Sequence, residues 1–330
     1  MMKVSILGAG SWGIALAMLL KENNHEVAVW SIVDEEVKML NQHHEHLHNL
    51  PGIKIDETIL ITNDIKKAVI GSDMVIFAVP SRYVRSTAIM VREYIKPSQI
   101  MLNVGKGLED ETLFTLAEVI EDVIPINPIA VLSGPSHAEE VARKIPTSVV
   151  AASKDKRIVK IVQETFMNQF FRVYGSSDVL GVEIGGALKN VIALAAGISD
   201  GLGFGDNTKA ALMTRGIAEI SRLGLAMGGD VQTFNGLTGI GDLIVTCTSV
   251  HSRNRKAGIL IGEGLTLQEA QEKVSMVVEG VYAAHAATAL ATKFEIELPI
   301  IDQVNEVLFN NKNPREAVTE LMLRDRKFES

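Results

Sequence analysis

Lys189 and Asn190 stand inside a run that is otherwise apolar or small, with Gly185-Gly186-Ala187-Leu188 before them and Val191-Ile192-Ala193-Leu194-Ala195-Ala196-Gly197 after. Burying an ammonium is costly unless it is paired. A structural reading of Lys189 therefore needs a partner, whereas a catalytic reading explains the placement. A lysine in a dry site beside another cation has a lowered pKa and suits general acid–base work. A helix lysine that snorkels to solvent is the plainer alternative. Asp242, in Gly239-Ile240-Gly241-Asp242-Leu243-Ile244-Val245-Thr246-Cys247-Thr248, is the candidate to hold the ammonium. Ser252-Arg253-Asn254 reads as a helix start carrying an arginine. That combination suits a phosphate, through guanidinium forks and N-terminal amides, or is simply a capped surface helix.

Two further sets of residues need a scaffold. Gly8-Ala9-Gly10-Ser11-Trp12-Gly13 follows a short apolar run and precedes an apolar helix pattern. In that context Gly8 lets the strand turn, Gly10 lets backbone approach a pyrophosphate, and Gly13 lets helix pack on strand. Lys106 lies between Gly105 and Gly107, either placed to reach a bound anion or carbonyl or simply a surface loop lysine, and Ser133-Gly134-Pro135-Ser136-His137-Ala138-Glu139 offers hydroxyls and backbone amides to a ligand or to a helix cap.

The elements that must position these residues are legible as periodicity. Strand-like runs fall at 4–7, 27–30, 59–62, 74–79, 100–104, 129–133, 148–152 and 170–174, with helical patterns between several, such as 34–41 and 113–123. This alternation predicts a parallel sheet covered by helices on both faces, with ligands beyond the carboxyl ends of the strands. After about residue 175 the strands give way to helical segments at 181–196, 207–227, 267–273, 281–293 and 298–309. The predicted fold class is α/β: an N-terminal Rossmann-type, parallel-rich sheet domain over 1–178, then an all-α domain over 179–330.

The end of the second strand chooses the cofactor in such a domain. Trp30, Ser31 and Ile32 stand there, without a carboxylate to exclude a 2′-phosphate or an arginine to claim one. Asp34 and Glu35 come late and suit a helix start. Either NADP or NAD fits, with NADPH slightly favoured.

Composition bounds the rest. The chain has 330 residues, 47% of them hydrophobic, enough for two domains with substantial cores. A net charge of −8 argues against a nucleic-acid or anionic-membrane surface, so an anionic substrate needs a local basic pocket. The one cysteine, Cys247, excludes an internal disulfide, suits the cytoplasm and reads as a small buried residue. Lys3 and the apolar stretch 4–20 imitate a secretory signal, but its glycines, Ser11 and Trp12 spoil the helix. No other stretch reads as long and apolar enough to span a bilayer. The tract Gln42-His43-His44-Glu45-His46-Leu47-His48, with Leu50-Pro51-Gly52 after it, matches no zinc spacing and reads as a solvated loop.

Together these segments resemble the bacterial-type NAD(P)-dependent glycerol-3-phosphate dehydrogenases, nearly end to end. The likeness rests on the glycine turn, Phe77-Ala78-Val79-Pro80, Lys106-Gly107-Leu108, Ser133-Gly134-Pro135-Ser136, Gly186-Ala187-Leu188-Lys189-Asn190, the stretches 204–215 and 237–248, and Ser252-Arg253-Asn254. It implies hydride reduction of dihydroxyacetone phosphate to sn-glycerol 3-phosphate for phospholipid synthesis. It also implies Lys189 as proton donor, Asp242 orienting it, and Thr246 and Asn190 beside the substrate. Arg253 and Asn254 would hold the phosphate, with Ser252 nearby. Lys106 would meet both substrate and cofactor, and Gly134 and Ser136 the substrate. Ser11, Trp12, Ala138, Arg253 and Glu279, the last with Val277 before it, would touch the cofactor. The family usually carries a basic or histidine residue where this chain has Ile32, which bears on the NADP preference and not on the reaction. A 3-hydroxyacid or 6-phosphogluconate-type dehydrogenase and a non-catalytic NADP(H) sensor are the rival readings. A homodimer is expected.

Overall fold

The apolar runs of the first half form β1 (Lys3–Leu7), β2 (Glu26–Trp30), β3 (Glu45–His46), β4 (Leu50–Lys54), β5 (Leu60–Thr62), β6 (Met74–Phe77), β7 (Ile100–Asn103), β8 (Ile129–Ser133), β9 (Thr147–Ala152) and β10 (Phe171–Ser176). Helices α1 (Ser11–Glu22), α2 (Asp34–His43), α3 (Ile65–Val69), α4 (Val84–Val91), α5 (Leu116–Val123), α6 (Ala138–Val141) and α7 (Lys156–Phe166) lie between them. This is a computed structural model, and it describes residues 1–326 and Phe328. The chain divides into two compact units, Met1–Glu183 and Ile184–Ser330.

In the first unit eight strands make one sheet in the order β10-β9-β8-β7-β6-β1-β2-β5. All eight predicted strands are in it, with ends shifted by a few residues. Neighbours run parallel except β8 and β9, which are antiparallel. The sheet is parallel-rich, as expected, and its one reversal has a simple reason. A parallel return needs a crossover as long as the strand, and α6, at 1.5 Å per residue, spans only about 6 Å. Register pairs Leu7 with Trp30 and with Phe77, and Phe77 with Asn103. The carboxyl ends of β1, β2, β6 and β7 are therefore level, and the loops after them share one edge.

Alternation along the strands sends side chains to two cores. Ile6, Ile76 and Leu102 pack with Ile14, Leu16 and Leu20 of α1 and Val162 and Phe166 of α7. Leu7, Phe77 and Met101 pack on the other face with Val84 and Ala88 of α4 and Leu116 and Ile120 of α5. Helix α5 starts at Leu116, later than its pattern suggests. Leu113 has positive φ, and Thr115 with Glu118 forms a capping box.

The histidine-rich tract is not a solvated loop. It ends α2 and then pairs, as β3, antiparallel with β4, which takes up Leu50-Pro51-Gly52. His46 is buried and hydrogen-bonds Glu36, which explains the ribbon's anchorage.

The second unit is helical. Helix α8 (Val179–Gly201) enters it from the first, and α9 (Asp206–Ala226), α10 (Val231–Phe234), α11 (Asp242–Thr248), α12 (Arg253–Gly262), α13 (Leu267–Val274), α14 (Glu279–Lys293), α15 (Pro299–Phe309) and α16 (Pro314–Met322) follow. By length and composition α8 can cross a bilayer, against the expectation that no such stretch exists outside the N-terminal run, yet 89% of its apolar window is buried within the protein. Small residues allow that burial: a Cβ on Gly197 would collide with the Arg255 carbonyl of α12, so the two helices touch backbone to backbone.

Candidate active site

At the glycine turn each glycine has its own reason. Gly8 sits at φ +120°, and a Cβ there would come 2.7 Å from the Ala78 carbonyl oxygen. A Cβ on Gly13 would strike the Gly8 carbonyl. Around the Cβ position of Gly10 there is nothing within 4 Å. Gly10 opens α1 in extended conformation, and no side chain caps the helix. Open space in front of uncapped amides, the first two supplied by Ser11 and Trp12, fits the pyrophosphate of a dinucleotide.

Beyond β2 the structure adds a group that spacing conceals. Trp30 is buried and donates from Nε1 to the Asn63 carbonyl at 2.9 Å. Ile32 is exposed, and Asp34 and Glu35 open α2 as expected. In the first turn of that helix, Glu36 reaches back, accepting a hydrogen bond from the Ser31 hydroxyl on one oxygen and meeting His46 at 3.1 Å on the other. Burial works against its charge, but those two hydrogen bonds prevail and hold the carboxyl below its ordinary range. A carboxylate therefore does stand beside the end of β2.

Lys106, Gly134 and Ser136 come together at the ends of β7 and β8. Lys106 Nζ donates to the Gly134 carbonyl at 2.8 Å and Ser136 Oγ donates to the same oxygen at 2.9 Å. Gly134 has φ +132°, which an L side chain rarely adopts. Ser133 is buried, and among the described residues its hydroxyl has no hydrogen-bond partner. Ala138 is the first residue of α6.

In the second unit Lys189 lies in the middle of α8, 5% exposed. Its Nζ donates to Asp242 Oδ1 at 2.8 Å and to the Thr246 hydroxyl, which in turn donates to the Asp242 carbonyl. Asp242 and Thr246 are one helical turn apart on α11 and both are buried, so one face of that short helix receives the ammonium. The group paired with Lys189 is thus the carboxylate of Asp242, the partner that the sequence suggested. Just before Asp242 the backbone makes a π-helical turn, Leu237–Gly241. This wide turn is an irregularity often found at functional sites.

Asn190 and Asn254 form a second buried link. Asn254 donates to Asn190 Oδ1 at 2.9 Å and accepts from the Gly280 amide at 2.8 Å. Ser252 caps α12 by accepting from the Arg255 amide. Arg253, partly exposed at the first position of that helix, has no hydrogen bond or ion pair among the described residues. Glu279 opens α14, with Val277 two residues before it. Cys247 is fully buried, and burial pushes its thiol up to about 12, which makes it inert.

A Rossmann-type unit with a glycine turn shaped for pyrophosphate, followed by a helical unit with a buried lysine–carboxylate pair, defines the class: a nicotinamide-dependent oxidoreductase. Comparison with known proteins narrows this. Models described as the N-terminus and the C-terminus of NAD-dependent glycerol-3-phosphate dehydrogenase match residues 3–159 and 178–319. A "Glycerol-3-phosphate dehydrogenase [NAD(P)+]" of Agathobacter rectalis is 57% identical over 100% of this chain and 98% of its own. One from Fusobacterium nucleatum is 56% identical over 100% and 99%. The crystal structure of glycerol-3-phosphate dehydrogenase from Coxiella burnetii superposes with a TM-score of 0.95 at 38% identity, covering 98% of this chain and 99% of that one. The chain belongs to the NAD-dependent glycerol-3-phosphate dehydrogenase family.

Sequence reasoning missed Glu183, Asn103 and Glu36. The first was findable: Glu183 is a charged residue in the same apolar helix pattern that drew attention to Lys189.

Proposed function

We propose that this protein reduces dihydroxyacetone phosphate to sn-glycerol 3-phosphate, reversibly, for glycerophospholipid synthesis. Residues 1–178 serve as the dinucleotide-binding domain and 179–330 as the domain of proton transfer and substrate binding. A bound NADPH or NADH supplies the hydride to the carbonyl carbon. Lys189 gives its Nζ proton to the carbonyl oxygen as the C–H bond forms, and takes it back in the reverse direction. Asp242 and Thr246 keep that ammonium in one orientation, which is the observation that carries the reading. A fixed donor avoids reorganisation during the reaction.

The substrate phosphate is a dianion on a protein of net charge −8. Arg253 supplies a guanidinium without a competing partner among the described residues, and Asn254 and the α12 amides add donors. Ser252 acts by capping that helix. Asn190, Gly134, Ser136 and Lys106 complete the substrate site. Gly8, Gly10, Ser11, Trp12, Gly13, Lys106, Ala138, Arg253, Val277 and Glu279 hold the cofactor. The protein works in the cytoplasm as a homodimer. Exposed apolar side chains on α9 to α11, Leu225, Val231, Ile240 and Ile244, give it surface to cover.

The test is purified protein with dihydroxyacetone phosphate and NADPH or NADH in parallel, followed by nicotinamide absorbance. Rapid oxidation is the expected result, and the ratio of the two rates gives the cofactor preference. Silence with both, from folded protein that binds NADPH, overturns the reading.

A further inference from the structure

Glu183 is a buried carboxylate in the first turns of α8. Its position looks purely structural until its partners are followed. One oxygen accepts from Asn103 Nδ2 at 2.8 Å and from the Ala117 amide at 3.0 Å, and the Thr115 hydroxyl also bonds to the carboxylate. Asn103, fully buried at the end of β7, closes around the next turn. Its Oδ1 accepts from the Gly105 amide at 3.0 Å, and its Nδ2 donates to the Gly105 carbonyl at 3.2 Å. Both backbone groups of the residue before Lys106 are therefore held by one side-chain amide.

That amide has nearly the same shape whichever way it is turned. Its two orientations differ only in where the donor and the acceptor stand. An ionised Glu183 accepts and never donates, so it draws Nδ2 towards itself and leaves Oδ1 for the Gly105 amide. A donor in place of Glu183 removes that preference. The turned orientation then sets two N–H groups against each other at Gly105.

We propose that Glu183 is a positioning residue for hydride transfer: through Asn103 it fixes the Gly105–Lys106 turn, and so the place from which Lys106 reaches the Gly134 carbonyl. The inference rests on the reading that Lys106 serves substrate and cofactor. Burial, opposed by the hydrogen bonds from Thr115, Ala117 and Asn103, raises the Glu183 carboxyl to about 7. Glu118 is the charged group whose field acts on it, pushing in the same direction as burial. Protonation of Glu183 in the neutral range therefore weakens the preference that it imposes on the Asn103 amide.

The experiment uses the full chain and two kinds of readout. The first is the Gly105 amide resonance, titrated through neutral pH in the wild type, in Glu183→Gln and in Glu219→Gln. The last variant is the control, since Glu219 is a buried carboxylate of α9 that accepts from the Ile300 amide of α15. The wild type and the control should show an inflection near neutrality that Glu183→Gln lacks. The second readout is kinetic: kcat/KM for dihydroxyacetone phosphate should fall roughly tenfold in Glu183→Gln, the equivalent of about 1.4 kcal/mol and one hydrogen bond. The double variant N103D/E183Q, which moves the donor to the helix and the acceptor to the strand, should recover part of that loss. A Gly105 amide that titrates alike in all three proteins overturns the inference. A displaced amide with unchanged kinetics overturns instead the role of Lys106 on which it rests.

Discussion

Replacing Lys189 with methionine keeps the length of the side chain and removes the ammonium, leaving the buried Asp242 carboxylate without its counter-charge. At 2.8 Å and an effective dielectric constant of about 20, the lost attraction is roughly 6 kcal/mol before desolvation is counted. Both groups are nearly excluded from water, so desolvation offsets a large part of that. The expected net cost of breaking the pair from either side is about 3–5 kcal/mol. Lys189→Met and Asp242→Asn should each lower stability by that order. The double variant, with no buried charge left, should be more stable than the sum of the two losses predicts, by roughly 1–3 kcal/mol. Urea unfolding of the four proteins measures this coupling. Additive losses would refute the pairing argument. Activity separates the two roles of the pair. Lys189→Met should reduce kcat by about 10²–10⁴, the usual worth of a positioned acid, with NADPH affinity preserved. Restored stability in the double variant must not restore kcat; if it did, Lys189 would be a structural lysine after all.

The glycine turn makes a prediction by contrast: Gly10→Ala meets open space and should fold normally while cofactor affinity falls, whereas Gly13→Ala strikes the Gly8 carbonyl and should destabilise the fold itself. Thermal melts beside NADPH titrations distinguish these, and an equal loss of stability in both would be the wrong answer. Arg253→Ala should raise KM for the phosphate substrate roughly 10–100-fold with little change in the melting temperature, as befits a charge-assisted contact made only to ligand; an unchanged KM removes it from the site. Glu219 accepts from the Ile300 and Ile301 amides, so it caps α15 from α9. Burial raises its carboxyl from 4.5 to about 7. The folded protein therefore keeps a proton that the unfolded chain has lost, and this contribution to stability is full below pH 4.5 and disappears as pH rises to 7. The stability difference between wild type and Glu219→Gln should shrink by up to about 3 kcal/mol across that window. A pH-independent difference would contradict the raised value.

The sequence by itself determined which segments are strands and which are helices in the two halves. Apolar runs with period two and small-residue runs with helical period are local signals, and burial acts on them wherever they end up. It also determined the residues of the buried pair, because an ammonium in an apolar helix demands a counter-charge and Asp242 is a carboxylate in another apolar stretch. Other features were decided only by tertiary structure. The reversal of β9 depends on how far α6 carries the chain. The carboxylate beside β2 depends on Glu36 folding back along a helix turn to Ser31, and the buried His46 on a ribbon whose partner strand looked like a loop. The link from Glu183 through Asn103 to Gly105 joins groups far apart in the chain. A hydrogen bond at that separation leaves no period or spacing in the sequence. Its donor and acceptor are fixed by where the elements pack.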